Sequence, residues 1–140
     1  MNILYKSSFV KICYSPSLNL MEVVWSPYSK NLFPALYRSE FLTFFKYQNI
    51  CKAQNILVDE RMFYYEIDDE LEEWVNNTLK DRVVFFAKKV AIVANITNMR
   101  QDSIDQRVEK AQLINTQMLF FENKNAAKDF LIEEYHLDAK

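Results

Sequence analysis

An acidic residue, Asp59, directly follows the short apolar run at residues 56–58 of this 140-residue chain. The carboxyl end of a strand is where open α/β sheets bind ligands, so this carboxylate is the first candidate for chemistry. A strand-end aspartate can accept a phosphoryl group, but that reaction also needs an acidic pair to hold Mg²⁺, and neither of the first two apolar runs ends in one. We therefore expect a structural role for Asp59, which would pair with Arg61 or accept backbone N–H bonds.

Side chains for nucleophilic or metal chemistry are scarce. His136 is the only histidine, and Cys13 and Cys51 lack the CxxC spacing of a metal site. The chain contains no glycine. A P-loop, a dinucleotide fingerprint and a nucleophile elbow all need glycine, because the backbone there adopts positive φ or approaches a ligand closely. Hydrolysis by carboxylates alone needs two acids, but nothing in the sequence singles out a pair. We expect no enzymatic activity, no cofactor and no metal.

Aromatic residues are more informative, at 15% of the chain. One set surrounds the expected first helix: Tyr28, Phe33, Tyr37, Phe41, Phe44, Phe45 and Tyr47. Another set, Phe63, Tyr64 and Tyr65, follows the apolar run at 56–58. Aromatics at helical spacing mostly form core, and a surplus suits a dimer interface or a small hydrophobic groove. The candidate binding residues are Asp59, Arg61, Phe63, Tyr64, Tyr37 and Phe41. In the interface hypothesis, Phe63 and Tyr37 would face outward.

Composition excludes several classes of protein. Half of the residues are apolar and 26% are charged, which is typical of one globular domain spanning residues 1–140, with its core at about 9–137. A net charge of -2 with scattered lysine and arginine does not favour nucleic-acid binding. No apolar stretch is long enough for a transmembrane segment, and no secretory signal begins the chain, so we expect a cytoplasmic protein.

The spacing of apolar residues predicts the elements that position these side chains. Residues 9–14 and 20–25 form a hairpin, and Pro34 begins a helix that ends near residues 47–49. Residues 55–59, 90–94 and 117–121 form further strands, the second approached through residues 83–87. Helices alternate with them, capped by Asp68 or Asp69, by Ser103 with Gln106, and by Asn125. The order ββαβαβαβα predicts an α/β fold with a mixed, mainly parallel sheet and an antiparallel edge strand.

This order and a set of spaced residues resemble the bacterial STAS-like proteins, in particular those with the fold of the stage II sporulation anti-sigma-factor antagonist, a STAS/Sec14-like group. The residues that carry the likeness are Trp25, the strand 56–59 followed by Arg61, then Asp69, Trp74, the strand 90–93, and Phe120-Phe121 before Ala126, Ala127, Phe130 and Leu131. The resemblance covers about residues 9–137. It implies a non-enzymatic cytoplasmic interaction or regulatory module.

One family feature is missing from this chain. The classical antagonists carry a phosphorylatable serine at the start of the helix after the central strand. Here Asp59 is followed by Glu60, Arg61, Met62 and Phe63, and no serine or threonine occurs until Thr78. The phospho-switch is therefore not carried over. We expect an interaction module without it, which forms a homodimer or contacts a protein partner. The alternative is a small carrier of an apolar ligand or lipid, as the Sec14-like likeness implies.

Overall fold

Six strands and four α-helices make up the fold in a computed structural model that describes residues 1–81 and 87–138, with side chains for 1–79 and 87–132. The strands are β1 (Asn2–Lys6), β2 (Val10–Ser15), β3 (Leu20–Trp25), β4 (Asn55–Asp59), β5 (Lys89–Val93) and β6 (Gln117–Phe121). The helices are α1 (Pro34–Cys51), α2 (Asp69–Asp81), α3 (Gln101–Leu113) and α4 (Lys124–Asp138), with short 3-10 helices at Pro27–Asn31 and Ile96–Asn98.

The strands lie in the sheet in their order along the chain, β1 to β6. β2 is antiparallel to both β1 and β3, and β3 to β6 are parallel to one another. The expected mixed, mainly parallel α/β sheet with an antiparallel edge is therefore confirmed. The hairpin at 9–14 and 20–25 is not the sheet's edge, however, because β1 adds a strand that the sequence pattern did not predict. Its register against β2 is irregular between Ile3 and Tyr5, and its side chains are mostly exposed.

The two faces of the sheet are covered differently. Successive residues of a strand point to opposite faces, so Ile56 of β4 belongs to one cluster and Leu57 to another. The first face, which we call the inner face, packs against α1 and α2 and includes Ile12, Val23 and Ile92. The second, outer face packs against α4 through Ala127 and Leu131. Because β4 and β5 are covered on both faces, they consist almost entirely of apolar residues.

The observed first residues and caps of the helices agree only in part with those predicted from the sequence. Pro34 begins α1 as expected, although the helix continues to Cys51. The Asp68 carboxylate accepts the Leu71 N–H at 2.8 Å and caps α2, as one of the two predicted aspartates. The other two predicted caps are wrong. α3 begins at Gln101, before Ser103, and Asn123 rather than Asn125 caps α4 by accepting the Ala126 N–H at 2.8 Å.

Positive φ falls on polar residues in this glycine-free chain. Asn19, Lys52 and Asn115 have φ of 49°, 52° and 59° within the described residues. Asn19 closes the turn between β2 and β3, and its side-chain oxygen also accepts the Gln54 N–H at 3.0 Å. Asparagine tolerates the left-handed region because its short polar side chain bonds to nearby backbone. The approach to β5 expected at residues 83–87 lies almost wholly outside the described residues, as do the His136 and Tyr135 side chains.

A substitution at Leu57 tests whether β4 is buried on both of its faces. The Leu57 side chain is fully buried in the outer-face cluster. We expect Leu57→Ala to lower the free energy of unfolding by about 2–5 kcal/mol, because the substitution removes a core side chain and leaves a cavity. Urea denaturation measures the loss. Leu119→Ala is the matched control, since Leu119 of β6 is exposed and should lose far less. Equal losses for the two variants would contradict the assignment of β4 as a central strand.

Candidate functional site

A cavity of about 440 Å³ lies between the inner face of the sheet and helices α1, α2 and α3. Its floor is aliphatic and comes from four neighbouring strands, because the inward positions of β2 to β5 carry branched side chains. These floor residues are Val10, Ile12, Val23, Ile56, Val58, Val90 and Ile92. The opposite wall includes Val75 and Leu79 of α2, Ala111 of α3, and Ile114, which directly follows α3. The site is thus an apolar cavity between the sheet and the helices, in a place that core side chains would otherwise fill.

Aromatic rings line one end of this cavity. The Trp25 ring of β3 stacks on Tyr37 of α1 at a centroid distance of 5.9 Å and contacts Phe63 at 4.7 Å. Tyr37 in turn lies 5.8 Å from Tyr65 and 6.1 Å from Phe41. Burial is the main cause that raises the pKa of the Tyr37 hydroxyl well above its ordinary value, so this residue is neutral at physiological pH. The rings form one connected, uncharged wall.

The segment after β4 builds part of that wall by alternation. Phe63, Tyr65 and Ile67 are half-buried and line the cavity, whereas the residues that alternate with them, Met62, Tyr64 and Glu66, are exposed. Alternation of this kind is typical of an extended chain with one face on a core. The segment is anchored by Ser29, whose hydroxyl donates to the Met62 carbonyl at 3.0 Å and accepts the Tyr64 N–H at 2.8 Å.

Helix α2 covers the cavity without packing closely on the sheet. Within the described residues, α3 lies close to the backbone of β6, whereas α2 makes no comparably close approach to a strand. α2 is held through its side chains instead. The Trp74 ring packs edge-on against Phe41 at 5.7 Å, the Arg38 guanidinium lies over Trp74 at 5.8 Å, and Leu71 is buried. The space under α2 is therefore bounded by a helix that docks mainly on α1.

An ion pair stands at the polar side of the cavity. Arg107 of α3 donates from both terminal nitrogens to the two Glu60 oxygens, at 3.0 and 2.8 Å, and its guanidinium also lies 5.0 Å from the centre of the Phe120 ring. Burial acts to lower the pKa of Arg107, but the Glu60 carboxylate raises it by charge and hydrogen bonding, and the net shift is upward. Lys110, one turn further on, lies 3.8 Å from Glu72 of α2.

A second carboxylate in the lining belongs to Glu40 of α1. The side chain is buried, and its two oxygens accept the hydroxyls of Tyr5 at 2.7 Å and Ser7 at 2.8 Å. These bonds connect α1 to β1 and to the turn that follows β1. Buried polar groups need such partners, because an unpaired buried acceptor costs about 1–3 kcal/mol. Strand β1, which the sequence pattern did not predict, is thus hydrogen-bonded to the cavity lining through Glu40.

The structure separates the predicted site residues into three groups. Phe63, Tyr37 and Phe41 line the cavity, and Tyr64 is exposed outside it. The expectation that Tyr37 faces outward is wrong, because its ring is buried between Trp25 and the segment after β4. Phe63 is likewise half-buried against Trp25 rather than outward.

Asp59 and Arg61 do not belong to the cavity. Asp59 accepts the Arg61 Nε at 3.0 Å, a terminal nitrogen at 2.7 Å and the backbone N–H at 3.2 Å, so the expected structural pairing is present. The Asp59 side chain points toward the outer face, where Lys124 of α4 also lowers its pKa and pairs with Glu22.

The polar residues of the cavity were missed by the sequence analysis. Arg107, Lys110, Ala111 and Ile114 recur at the three- and four-residue spacing of one helical stripe, and that spacing was the available signal. In the sequence, the charged members of the stripe resemble an ordinary solvated face of a helix. Glu60 gave no comparable signal, since its role depends on a residue 47 positions away.

Four large apolar side chains of the segments 28–33 and 62–64 are exposed, and we call them the aromatic corner: Tyr28, Phe33, Met62 and Tyr64. Ser29 brings the two segments together through the bonds described above. Tyr28 also contacts Phe9 at a ring distance of 5.5 Å. Apolar side chains grouped in this way on a surface are a feature of interaction sites.

Comparisons with protein-family models, with curated proteins and with solved structures give no significant match to this chain. The STAS-like resemblance stays a prediction from the sequence. Among the described residues, no helix combines the length and apolar character needed to cross a membrane. The same residues contain no grouping of three or more histidine, cysteine, aspartate or glutamate side chains that could hold a metal ion.

The Asp59–Arg61 pair predicts a pH dependence of stability. Burial acts to raise the pKa of Asp59, but the bonds and charge of Arg61 outweigh it, and the net pKa lies below the ordinary value. The stabilisation is therefore present above the ordinary aspartate pKa of about 4 and lost as pH falls through the lower pKa of the folded state. We expect Asp59→Asn to cost about 1 kcal/mol at neutral pH, since Arg61 is partly exposed, and progressively less in acid.

Urea denaturation at neutral and acidic pH measures this difference. Asp102→Asn is the matched control, because Asp102 pairs with Arg100 at an exposed position and should change stability little at either pH. A cost for Asp59→Asn that is equal at both pH values would contradict the structural role of the carboxylate.

Proposed function

We propose that this chain binds a small, mainly apolar ligand in the cavity between the inner face and α1, α2 and α3, and that it acts in the cytoplasm without chemistry of its own. The observation that carries the proposal is the cavity itself, with its aliphatic floor and aromatic end wall. Small-molecule sites typically have volumes of about 300–1,000 Å³ and a mainly apolar lining with a few polar groups. A volume of about 440 Å³ falls within this range.

The energetics of packing support the same proposal. Protein interiors are close-packed, and voids larger than a water molecule are few. A sealed, empty void of 440 Å³ would cost about 10 kcal/mol at about 24 cal/mol per Å³, which is comparable to the whole stability of a domain. Water entering through the open side would reduce this cost but would lie against aliphatic side chains. An apolar occupant restores the missing contacts.

The position of α2 provides a route for such a ligand. Its backbone stands further from the strands than that of α3, and it is held by the buried Leu71, by the Trp74 ring on α1 and by the exposed Lys110–Glu72 pair with α3. An exposed ion pair at 3.8 Å contributes little to stability, so it opposes an outward movement of α2 only weakly. Entry between α2 and α3 would leave the α1 packing intact.

Binding of N-phenyl-1-naphthylamine, an uncharged probe whose fluorescence rises in apolar surroundings, tests this proposal. We expect saturable binding with energy transfer from tryptophan, because Trp25 lies in the cavity wall. Val75→Trp should weaken binding by at least about tenfold, since the larger side chain occupies the space beneath α2. Asn77→Trp, which adds the same ring to an exposed position of α2, is the matched control.

Native mass spectrometry of freshly purified protein gives an independent measurement. A stoichiometric apolar adduct that is absent from Val75→Trp would support the proposal. Failure of the wild-type protein to bind the naphthylamine probe would contradict it, provided that the urea transition shows a folded chain. Equal binding by wild type and a folded Val75→Trp variant would place the probe elsewhere and would also contradict it.

A second candidate function is self-association through the aromatic corner. We propose it because Tyr28, Phe33, Met62 and Tyr64 are exposed together and do not line the cavity. A twofold dimer needs one self-complementary patch, and a net charge of -2 gives little long-range repulsion. This candidate retains the interaction-module hypothesis but moves the surface from Tyr37 and Phe63 to the residues beside them.

Sedimentation over a wide concentration range tests the second candidate. We expect concentration-dependent dimerisation in the wild type, and a folded monomer for Phe33→Asp or Tyr64→Asp, because a charge in the centre of an apolar interface is costly to desolvate. Ile50→Asp, which places the same charge on an exposed apolar residue of α1, should leave the dimer unchanged. A wild type that sediments as a single 16.7 kDa species at every concentration would rule this function out.

A further inference from the structure

We infer that the cavity selects ligands without negative charge, so that its natural occupant is an uncharged, mainly apolar molecule and not a free carboxylate such as a fatty acid. This inference rests on the proposed function. Its basis is the set of charged side chains that line the cavity within the described residues: Glu40, Glu60, Glu72, Arg107 and Lys110. Carboxylates outnumber cations in this set, and each cation already has a carboxylate partner.

Arg107 is the group that an anionic ligand would otherwise use. Its two terminal nitrogens both donate to Glu60, in the parallel two-bond geometry that is the strongest arrangement for an arginine and a carboxylate. Because Glu60 already balances the charge of this guanidinium, an incoming carboxylate would gain a full charge partner there only by displacing Glu60. Glu60 would then remain at the cavity wall without its partner, and a charge that is separated from its partner away from water is strongly unfavourable.

Glu40 adds to this discrimination from the other side of the cavity. Its side chain is buried, and both oxygens are held by hydroxyl groups, those of Tyr5 and Ser7. Hydroxyl donors stabilise a carboxylate without neutralising its charge. The lining therefore presents negative charge at Glu40 and a neutralised pair at Glu60 and Arg107, with aliphatic and aromatic surface between them. An anion placed beside the buried Glu40 would be repelled with little screening by water.

Two fluorescent probes with the same ring system test this inference. N-phenyl-1-naphthylamine is uncharged, and 1-anilinonaphthalene-8-sulfonate adds one sulfonate to the same rings. We expect the wild-type protein to bind the sulfonate at least about tenfold more weakly than the uncharged probe. A preference of this size alone could come from desolvation of any anion, so variants must show that the carboxylates of the lining cause it.

Glu60→Gln is the decisive variant. It keeps the size of the side chain but leaves Arg107 with an unbalanced positive charge in the cavity wall, so we expect the affinity for the sulfonate probe, relative to that for the uncharged probe, to rise by at least about tenfold. Glu72→Gln releases Lys110 in the same way. Because the Lys110–Glu72 pair is partly exposed, this second variant should fold normally and give a smaller change of the same sign.

Glu70→Gln is the matched control, since it makes the same change in net charge at an exposed position of α2. Urea denaturation shows whether each variant is folded. If Glu60→Gln does not fold, the sulfonate affinity of Glu72→Gln tests the inference instead. Three results would overturn the inference: equal binding of the two probes by wild type, no gain in sulfonate affinity in a folded Glu60→Gln or Glu72→Gln protein, or an equal gain in Glu70→Gln. In each case, binding of the uncharged probe by wild type would still support the proposed function. Absence of binding of the uncharged probe would overturn both.

Discussion

The two-residue period of β4 and β5 is the constraint on which the rest of this structure depends. Alternate side chains must be buried on opposite faces, so both faces of the sheet need a cover. α4 covers the outer face closely through Ala127 and Leu131. The inner face is broader, because it extends from β2 to β6, and it is shared by three helices. The cavity is the part of that face where α2 does not reach the strands.

The same alternation directs the two adjacent carboxylates at the end of β4 to opposite faces of the sheet. Asp59 occupies the last position of the strand and points to the outer face, where it meets Arg61 and the side of α4 that carries Lys124. Glu60 follows and points to the inner face, where it meets Arg107 of α3. Two adjacent carboxylates therefore have separate partners and separate roles. The first stabilises the turn after the strand, and the second forms part of the cavity wall.

The central strands were predictable from the sequence because their burial on both faces leaves a continuous apolar run. β1 was not predictable in the same way. Its exposed edge carries mixed polar and apolar residues, and its place is set by pairing with β2 and by the hydroxyl of Tyr5 on Glu40. The helix caps failed for a local reason. Several polar residues near the start of α3 and α4 suit a cap equally well, and the tertiary position of the helix selects Asn123 over Asn125.

The aromatic residues show why the site was harder to predict than the fold. Composition correctly indicates a surplus of rings, but helical spacing does not tell which way a helix is rotated about its axis. Tyr37 was expected at the surface and lies in the wall beside Trp25, because α1 turns that side to the sheet. The segment after β4 did contain a usable signal. Its strict alternation assigns Phe63 and Tyr65 to the interior and Met62 and Tyr64 to solvent.

That alternation also connects the two proposed surfaces. Phe63 contacts Trp25 inside the cavity, while its neighbours Met62 and Tyr64 belong to the aromatic corner and are held by Ser29. Because these residues are consecutive in one extended segment, a ligand that moved the backbone at Phe63 would also move Tyr64. Any such coupling is reciprocal, so an assembly that fixes the aromatic corner would change ligand affinity by the same factor. A binding site and an interaction surface on opposite sides of one segment form the simplest arrangement in which ligand occupancy could regulate assembly.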